Sequence, residues 1–288
     1  MMSPGARLRA RLGEPGLLVV PGAYDALSAR LATAAGAEAV YMTGFGVAGS
    51  LLGVPDIGLV TATEMADRVR ALAEAAGAAP LIADGDNGHG GPHNAARLTR
   101  LYESAGAACI QIEDQVLPKR CGHLAGKEIV PLADAVARVK AVVAARTSPD
   151  FLVMARTDAR AVDGMDEALR RGEAFLAAGA DILFVEAPQT EAELAQVGRA
   201  FAGVPLVANM VEGGRTPALD AAALGDLGYR IALYPVTALL SVAATLQQVY
   251  GELLAKGHSP TSIPRMDFAA YNHMIGLDTL MARDDVKD

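Results

Sequence analysis

Cysteine is nearly absent. The 288 residues carry two, too few for the disulfide framework of a small secreted domain, and a reduced, cytoplasmic protein is the expectation. Basic charge is also scarce: 25 Lys and Arg stand against 33 Asp and Glu, for a formal net charge of -8. Phosphate contacts need clustered cations, so no nucleic-acid surface is expected. The cluster "RLRAR" near the start reads as the solvated face of a short helix. No apolar run approaches the ~18 residues of a transmembrane helix. "LLVV" is too short for the apolar region of a signal peptide, so no membrane partner is expected either. Two nucleotide signatures are missing: the first βα turn has no G-x-G-x-x-G, and no P-loop occurs.

What is present is apolar and periodic. Hydrophobic residues make up 52% and charged ones 20%, ample material for a large core. Eight β-rich runs recur along the chain: "LLVVPGA" (17–23), "EAVYMTG" (38–44), "PLIADGD" (80–86), "ACIQIED" (108–114), "FLVMARTD" (151–158), "DILFVEA" (181–187), "PLVANM" (205–210) and "RIALYPV" (230–236). Between them lie stretches of helical period such as "ATEMADRVRALAEAAG". Three helix-to-strand junctions reuse one device, "AAGAEAV", "SAGAACI" and "AAGADIL", with Gly ending the helix. Apolar strands alternating with amphipathic helices imply a parallel sheet covered by helices. Eight such units predict an α/β fold of the closed (β/α)8 type. Residues 1–256 are assigned to this barrel and 257–288 to a C-terminal tail packed on the barrel or on a neighbouring subunit.

The strands turn polar at one end. The second ends in Tyr41 and Thr43, the third in Asp84 and Asp86, and the fourth in Glu113 and Asp114. The fifth ends in Arg156 and Asp158, the sixth in Glu186 and the seventh in Asn209. In a barrel these positions meet at the mouth that carries active sites. So many carboxylates with a single Arg among them repel one another unless a cation is bound. All-oxygen donors favour Mg2+ or Mn2+ over Zn2+. For Asp158, a helix N-cap is an equally good reading. His89 and His93 run through "GGP" and read as neutral loop residues, and His258 and His273 as surface or interface residues.

The two cysteines differ in setting. Cys109 sits in the apolar "ACIQI", where a thiol behaves as a small hydrophobe. Cys121 sits in "PKRCGH" on the long loop after the fourth strand, beside Lys119, Arg120 and His123. Such an electropositive setting lowers a thiol's pKa. A long Gly-containing loop at a barrel mouth suggests a lid, and a thiol there suits proton delivery better than nucleophilic attack.

Over roughly residues 15–256 the sequence resembles the isocitrate lyase/phosphoenolpyruvate mutase superfamily. The motifs that carry the resemblance are "PGAYDALSAR", "YMTGFG", "VPDIGL", "DGDNGHG", "IEDQ" followed by "KRCGH", "ARTDA", "FVEA" and "NMVEGGRTP". The resemblance implies Mg2+ (or Mn2+) at Asp84, with Asp56, Asp86 and Glu113 supporting the ion and its waters. It implies that Thr43, Gly44 and Phe45 hold a substrate carboxylate through main-chain N–H groups. Arg156 would hold the 2-oxo-acid end, and Glu186 and Asn209 the other carboxylate or its surroundings. Tyr41 would lie near the reacting hydroxyl, and Cys121, with Gly122 and His123 on the gating loop, would serve as acid/base. It further implies a homotetramer whose C-terminal helices are swapped between subunits.

The expected activity is retro-aldol cleavage of a 2-hydroxy di- or tricarboxylate, of 2-alkylmalate or 2-methylisocitrate type, to a 2-oxo acid such as pyruvate and a carboxylic acid. Few cations stand at the strand ends beyond Arg156, with Arg120 and Arg215 in reserve, which favours the dicarboxylate. A carboxyphosphonoenolpyruvate phosphonomutase or an oxaloacetate hydrolase shares the same motifs. A non-catalytic carboxylate-binding barrel is the third alternative, and a lid thiol speaks against it. The sequence departs from the family pattern at Gly85, usually Ala, at His89, usually Tyr or Phe, and at Phe45, often Gly or Ser.

Overall fold

The computed structural model describes residues 2–120, 122 and 126–284. Eight strands run in the order expected: β1 (Leu18–Ala23), β2 (Val40–Met42), β3 (Leu81–Asp84), β4 (Cys109–Glu113), β5 (Leu152–Thr157), β6 (Ile182–Val185), β7 (Val207–Asn209) and β8 (Ile231–Tyr234). Each pairs in parallel with its neighbours in the order β6-β5-β4-β3-β2-β1-β8-β7. A parallel bridge between Leu183 and Leu206 joins β6 to the approach of β7 and closes the ring. The fold is a (β/α)8 barrel.

Period-2 alternation divides each strand between two environments. Leu81, Ala83, Ile110, Ile112 and Val153 face the helices and pack with Met65, Val69, Leu72 and Leu98. The alternate positions Leu18, Val20, Tyr41, Ile82, Cys109, Leu152, Met154, Ile182, Phe184, Val207, Ile231 and Leu233 form one cluster inside the barrel. Leu8 and Leu12 belong to that cluster. They come from the N-terminal helix Pro4–Gly13, capped by the Ser3 hydroxyl, which stops the lower end of the barrel. The burial of Cys109 agrees with its apolar setting, and burial pushes its thiol pKa well up.

The repeated junction glycines Gly36, Gly106 and Gly179 have φ of 95°, 98° and 100°. This is the left-handed region in which glycine ends a helix without steric cost. The described chain forms two compact units, residues 1–238 and 239–288. The boundary falls within the helix Thr237–Lys256, and the second unit continues through the helices Phe268–Met274 and Leu277–Asp284. Among the described residues no helix is long and apolar enough to cross a membrane.

Candidate active site

The same alternation that buries the barrel interior delivers polar side chains at its upper end. Continuing inward from Ile82 comes Asp84, from Cys109 come Gln111 and Glu113, from Met154 comes Arg156, from Phe184 comes Glu186, and from Val207 comes Asn209. All of these polar side chains are 9% exposed or less. Asp84 is held by three donors: Gly44 N at 3.2 Å, Asp86 N at 3.1 Å and Gln111 Nε2 at 3.1 Å. The Tyr41 hydroxyl donates to Gln111 Oε1 at 3.0 Å, and burial together with Asp84 pushes its pKa well up. Tyr41 therefore acts here as a hydrogen-bond donor two bonds removed from Asp84. Thr43 caps the helix Gly44–Leu52, its hydroxyl accepting from Gly46 N at 3.4 Å, and the Phe45 ring is half-buried.

The acids are less short of positive charge than one Arg suggested. Lys119, 4% exposed, reaches in from the loop after β4 and places Nζ 2.6 Å from both Asp56 and Asp86. Burial raises the Asp56 pKa to about 6 despite Lys119. Burial and Asp86 raise Asp84, and burial raises Glu113 well above the carboxylate range. For Asp86, burial is outweighed by Lys119, His89 and Arg156 together, and its pKa is lowered. Asp86 and His89 both have φ in the left-handed region, 50° and 55°, a conformation that costs energy for such residues and clusters at functional sites. His89 lies close by, its Nε2 3.9 Å from Asp86 Oδ2.

Among the described residues no three His, Cys, Asp or Glu side chains converge closely enough to hold an ion as they stand, and the Lys119 ammonium draws Asp56 and Asp86 together instead. The residues nonetheless suit a hard divalent cation. The donors are all oxygen, and the buried Glu113 Oε1 accepts no hydrogen bond. Gly44 also leaves space in front of the acids, since a Cβ there would lie 2.8 Å from Asp84 Oδ2 and 3.4 Å from Asp86 Oδ1.

Across the mouth, Arg156 is surrounded by acids. Asp158 grips it in bidentate fashion at 3.0 and 3.1 Å, with Glu186 at 3.4 Å and Glu113 at 3.5 Å. Burial opposes its charge, but these carboxylates keep it firmly protonated. Its guanidinium also lies over the Phe184 ring, 5.2 Å from the centroid. Asn209 Nδ2 donates to both Glu186 oxygens at 3.2 and 3.4 Å. Gly122 lies directly on this group: a Cβ there would be 2.3 Å from Arg156 Nη2 and 3.0 Å from Glu186 Cδ. Asp158 does precede the short helix Ala159–Val162 but makes no capping bond; its carboxylate serves Arg156 and Lys127 instead.

The structure thus brings together Tyr41, Thr43, Gly44, Asp56, Asp84, Asp86, Glu113, Gly122, Arg156, Glu186 and Asn209, while Cys121 and His123 lie outside the described residues. Sequence reasoning missed Lys127, in "AGKEIV", and treated Lys119 only as part of the thiol's setting. It also missed the support beneath the strand ends. There Asp114 accepts from Thr157 Oγ1 at 2.7 Å, Asp158 N at 2.9 Å and Arg171 Nη1 at 3.0 Å. Helical or strand periodicity marks none of these; a charged residue bordering an apolar run was the one available signal.

Known proteins match this chain over nearly its full length. The family model described as phosphoenolpyruvate phosphomutase matches residues 8–254. A 2,3-dimethylmalate lyase of Eubacterium barkeri is 45% identical over 97% of this chain and 96% of its own. A 2-methylisocitrate lyase of Bacillus subtilis is 39% identical over 98% and 94%. Among solved structures, a 2,3-dimethylmalate lyase superposes with TM-score 0.94 at 39% identity, covering 99% of this chain and 95% of that one. An oxaloacetate acetylhydrolase bound to 3,3-difluorooxalacetate gives 0.93 at 34%, covering 98% and 96%. With a complete barrel, a buried acid set facing an arginine at one mouth and matches of this extent, the chain belongs to the phosphoenolpyruvate mutase/isocitrate lyase superfamily of enzymes.

Proposed function

We propose that the chain is a Mg2+-dependent carbon–carbon lyase that cleaves a 2-hydroxy dicarboxylate of the 2-alkylmalate class to a small 2-oxo acid, such as pyruvate, and a carboxylic acid. The observation that carries this reading is the juxtaposition of buried Asp84, Asp86 and Glu113 with Arg156, roofed by the Gly122 main chain. The 45% identity to a 2,3-dimethylmalate lyase supports the substrate class.

Asp84, with Asp56, Asp86 and Glu113, would hold Mg2+ (Mn2+ as a substitute), which when bound supplies Lewis-acid stabilisation of the oxygens of the 2-oxo acid. Arg156 binds the carboxylate next to the reacting carbinol, its direction fixed by Asp158. The second carboxylate lies toward Glu186 and Asn209, with the first-turn N–H of Phe45 as a further donor. The hydroxyl proton passes to the acid cluster at the strand ends, which is buried at the mouth. The C–O electron pair becomes the ketone, the C–C bond breaks, and its pair remains on the carbon next to the departing carboxylate. Cys121 returns a proton to that carbon, with His123 beside it in sequence. Exclusion of water by the Gly122 segment protects the carbanion from other proton sources.

The helix Thr237–Lys256 buries none of its residues, and its Leu240, Val242, Leu246 and Leu254 are 41 to 85% exposed. This supports assembly with further copies, a tetramer with exchanged C-terminal segments in our reading.

The test is a coupled assay for 2-oxo-acid release from 2,3-dimethylmalate, other 2-alkylmalates, 2-methylisocitrate and oxaloacetate, with and without Mg2+. Release from an alkylmalate, abolished by chelation and by Cys121→Ser, is expected. Oxalate and acetate from oxaloacetate alone would move the assignment to the hydrolase reading that the 34%-identical acetylhydrolase structure supports. Silence on the whole panel would sink both.

A further inference from the structure

Lys127 is a buried cation at the barrel mouth that the reaction scheme leaves unused. It is 8% exposed and makes two contacts, both at 2.6 Å. One is to Asp158 Oδ1, the oxygen that also accepts from Arg156 Nη2. The other is to the main-chain carbonyl of Gly122. Gly122 in turn is the residue whose missing Cβ lets the backbone lie on Arg156 and Glu186. One ammonium therefore joins three things: the carboxylate that aims Arg156, the arginine through that carboxylate, and the segment that follows Cys121 in sequence.

Burying a lysine is costly unless its charge is paired and its donors are used. A surface anchor for this loop needs no such burial. Asp158 is likewise 0% exposed, and burial is offset there by Arg156 and then Lys127, which together hold its pKa down. Backbone bonds already tie the loop at its base, Val116 N to Glu128 O at 3.0 Å and Val130 N to Asp114 O at 2.9 Å. Retaining the loop is thus served without Lys127, and what Lys127 adds is placement.

We infer that Lys127 is a positioning residue that sets Arg156 through Asp158 and fixes the Gly122 carbonyl in the same contact, so that the carboxylate-binding arginine and the residue next to Cys121 are placed together. The inference rests on the proposed reading of this mouth as a carboxylate site, and deepens it.

The experiment compares wild type with Lys127→Met and Lys127→Arg, as full-length proteins. Three readouts are taken: binding of oxalate with Mg2+ by calorimetry, the rate of Cys121 modification by iodoacetamide followed by peptide mass spectrometry, and steady-state kcat and KM on the active alkylmalate. The buried Cys109 serves as the internal control. In Lys127→Met, oxalate affinity is expected to fall tenfold or more, and the Cys121 modification rate to rise by a similar factor. Lys127→Arg is expected to restore part of both. The thermal midpoint should fall, because a buried charge pair is lost, while the modification of Cys109 stays near wild type at the assay temperature.

Oxalate affinity and Cys121 reactivity unchanged in a folded Lys127→Met protein would overturn the inference. So would a loss that appears only together with Cys109 exposure, since that reports general unfolding. Oxalate binding and thiol reactivity need no turnover. A wild type without lyase activity would therefore count against the proposed reaction, while the Lys127 comparison still decides its own question.

Discussion

Replacing Gly44 by Ala sets two effects of opposite sign against each other. Gly44 opens the helix Gly44–Leu52, and its φ lies outside the left-handed region, so alanine is conformationally allowed. On helix propensity alone Ala is better than Gly by up to ~1 kcal/mol. The added Cβ, however, would stand 2.8 Å from Asp84 Oδ2 and 3.3 Å from Asp84 Cγ. Asp84 cannot swing away freely, because Asp86 N and Gln111 Nε2 hold its other oxygen at 3.1 Å each. Relief costs at least one hydrogen bond to a charged group, ~1.5–3 kcal/mol, and moves the carboxylate assigned to the metal. At ~1.4 kcal/mol per tenfold, Mn2+ affinity should weaken by ~10- to 100-fold. Calorimetric titration with Mn2+ is the assay, and a melting curve in chelator reads the folding side. A Gly44→Ala protein that melts higher and binds Mn2+ as tightly as wild type would refute the argument that Gly44 is kept clear for the acid cluster.

Other perturbations have equally definite outcomes. Asp56 is raised from 3.8 to about 6, so between these pH values the folded chain holds more protons than the unfolded one. In chelator, stability relative to Asp56→Asn should therefore be greatest below pH 4, fall as pH rises to about 6 and then level off; denaturant melts across pH 4–7 showing the difference rising would reject the burial argument. Tyr102→Phe removes a buried hydroxyl that donates to Asp84 O at 2.7 Å, and should cost ~1 kcal/mol, read as a lower urea midpoint with an unchanged slope. Gly198→Ala would place a Cβ 1.8 Å from Leu227 O. Backbone must move to make room, so a loss of ~1–3 kcal/mol is expected in the same assay despite the better helix former, and a gain would show that the two elements slide apart freely.

Most of the barrel was legible because apolar runs and their polar ends obey the same alternation. Glu113 could be placed at the mouth from Cys109 and Gln111 alone, two residues at a time. The "AGA" junctions were legible too, since only glycine takes the φ of 95° to 100° found at Gly36, Gly106 and Gly179. Charge pairing was not. Asp158 read equally well as a helix cap, and its two cationic partners, Arg156 and Lys127, lie 2 and 31 positions away. Lys119 sits 63 positions from Asp56 and 33 from Asp86 (119 − 56 and 119 − 86). Such pairs depend on which loops fold over the mouth, and no local period encodes that.

The plug formed by Leu8 and Leu12 has a practical consequence for anyone handling this protein. Met2 is 57% exposed, so an affinity tag fused ahead of it projects into solvent and leaves the interior untouched. A start moved beyond Gly13 is another matter. It would uncover the lower ends of Leu18, Ile82, Leu152 and Ile231, all 2% exposed or less, and open a second door for water beneath the chemistry. Shortened versions should therefore be trimmed from elsewhere.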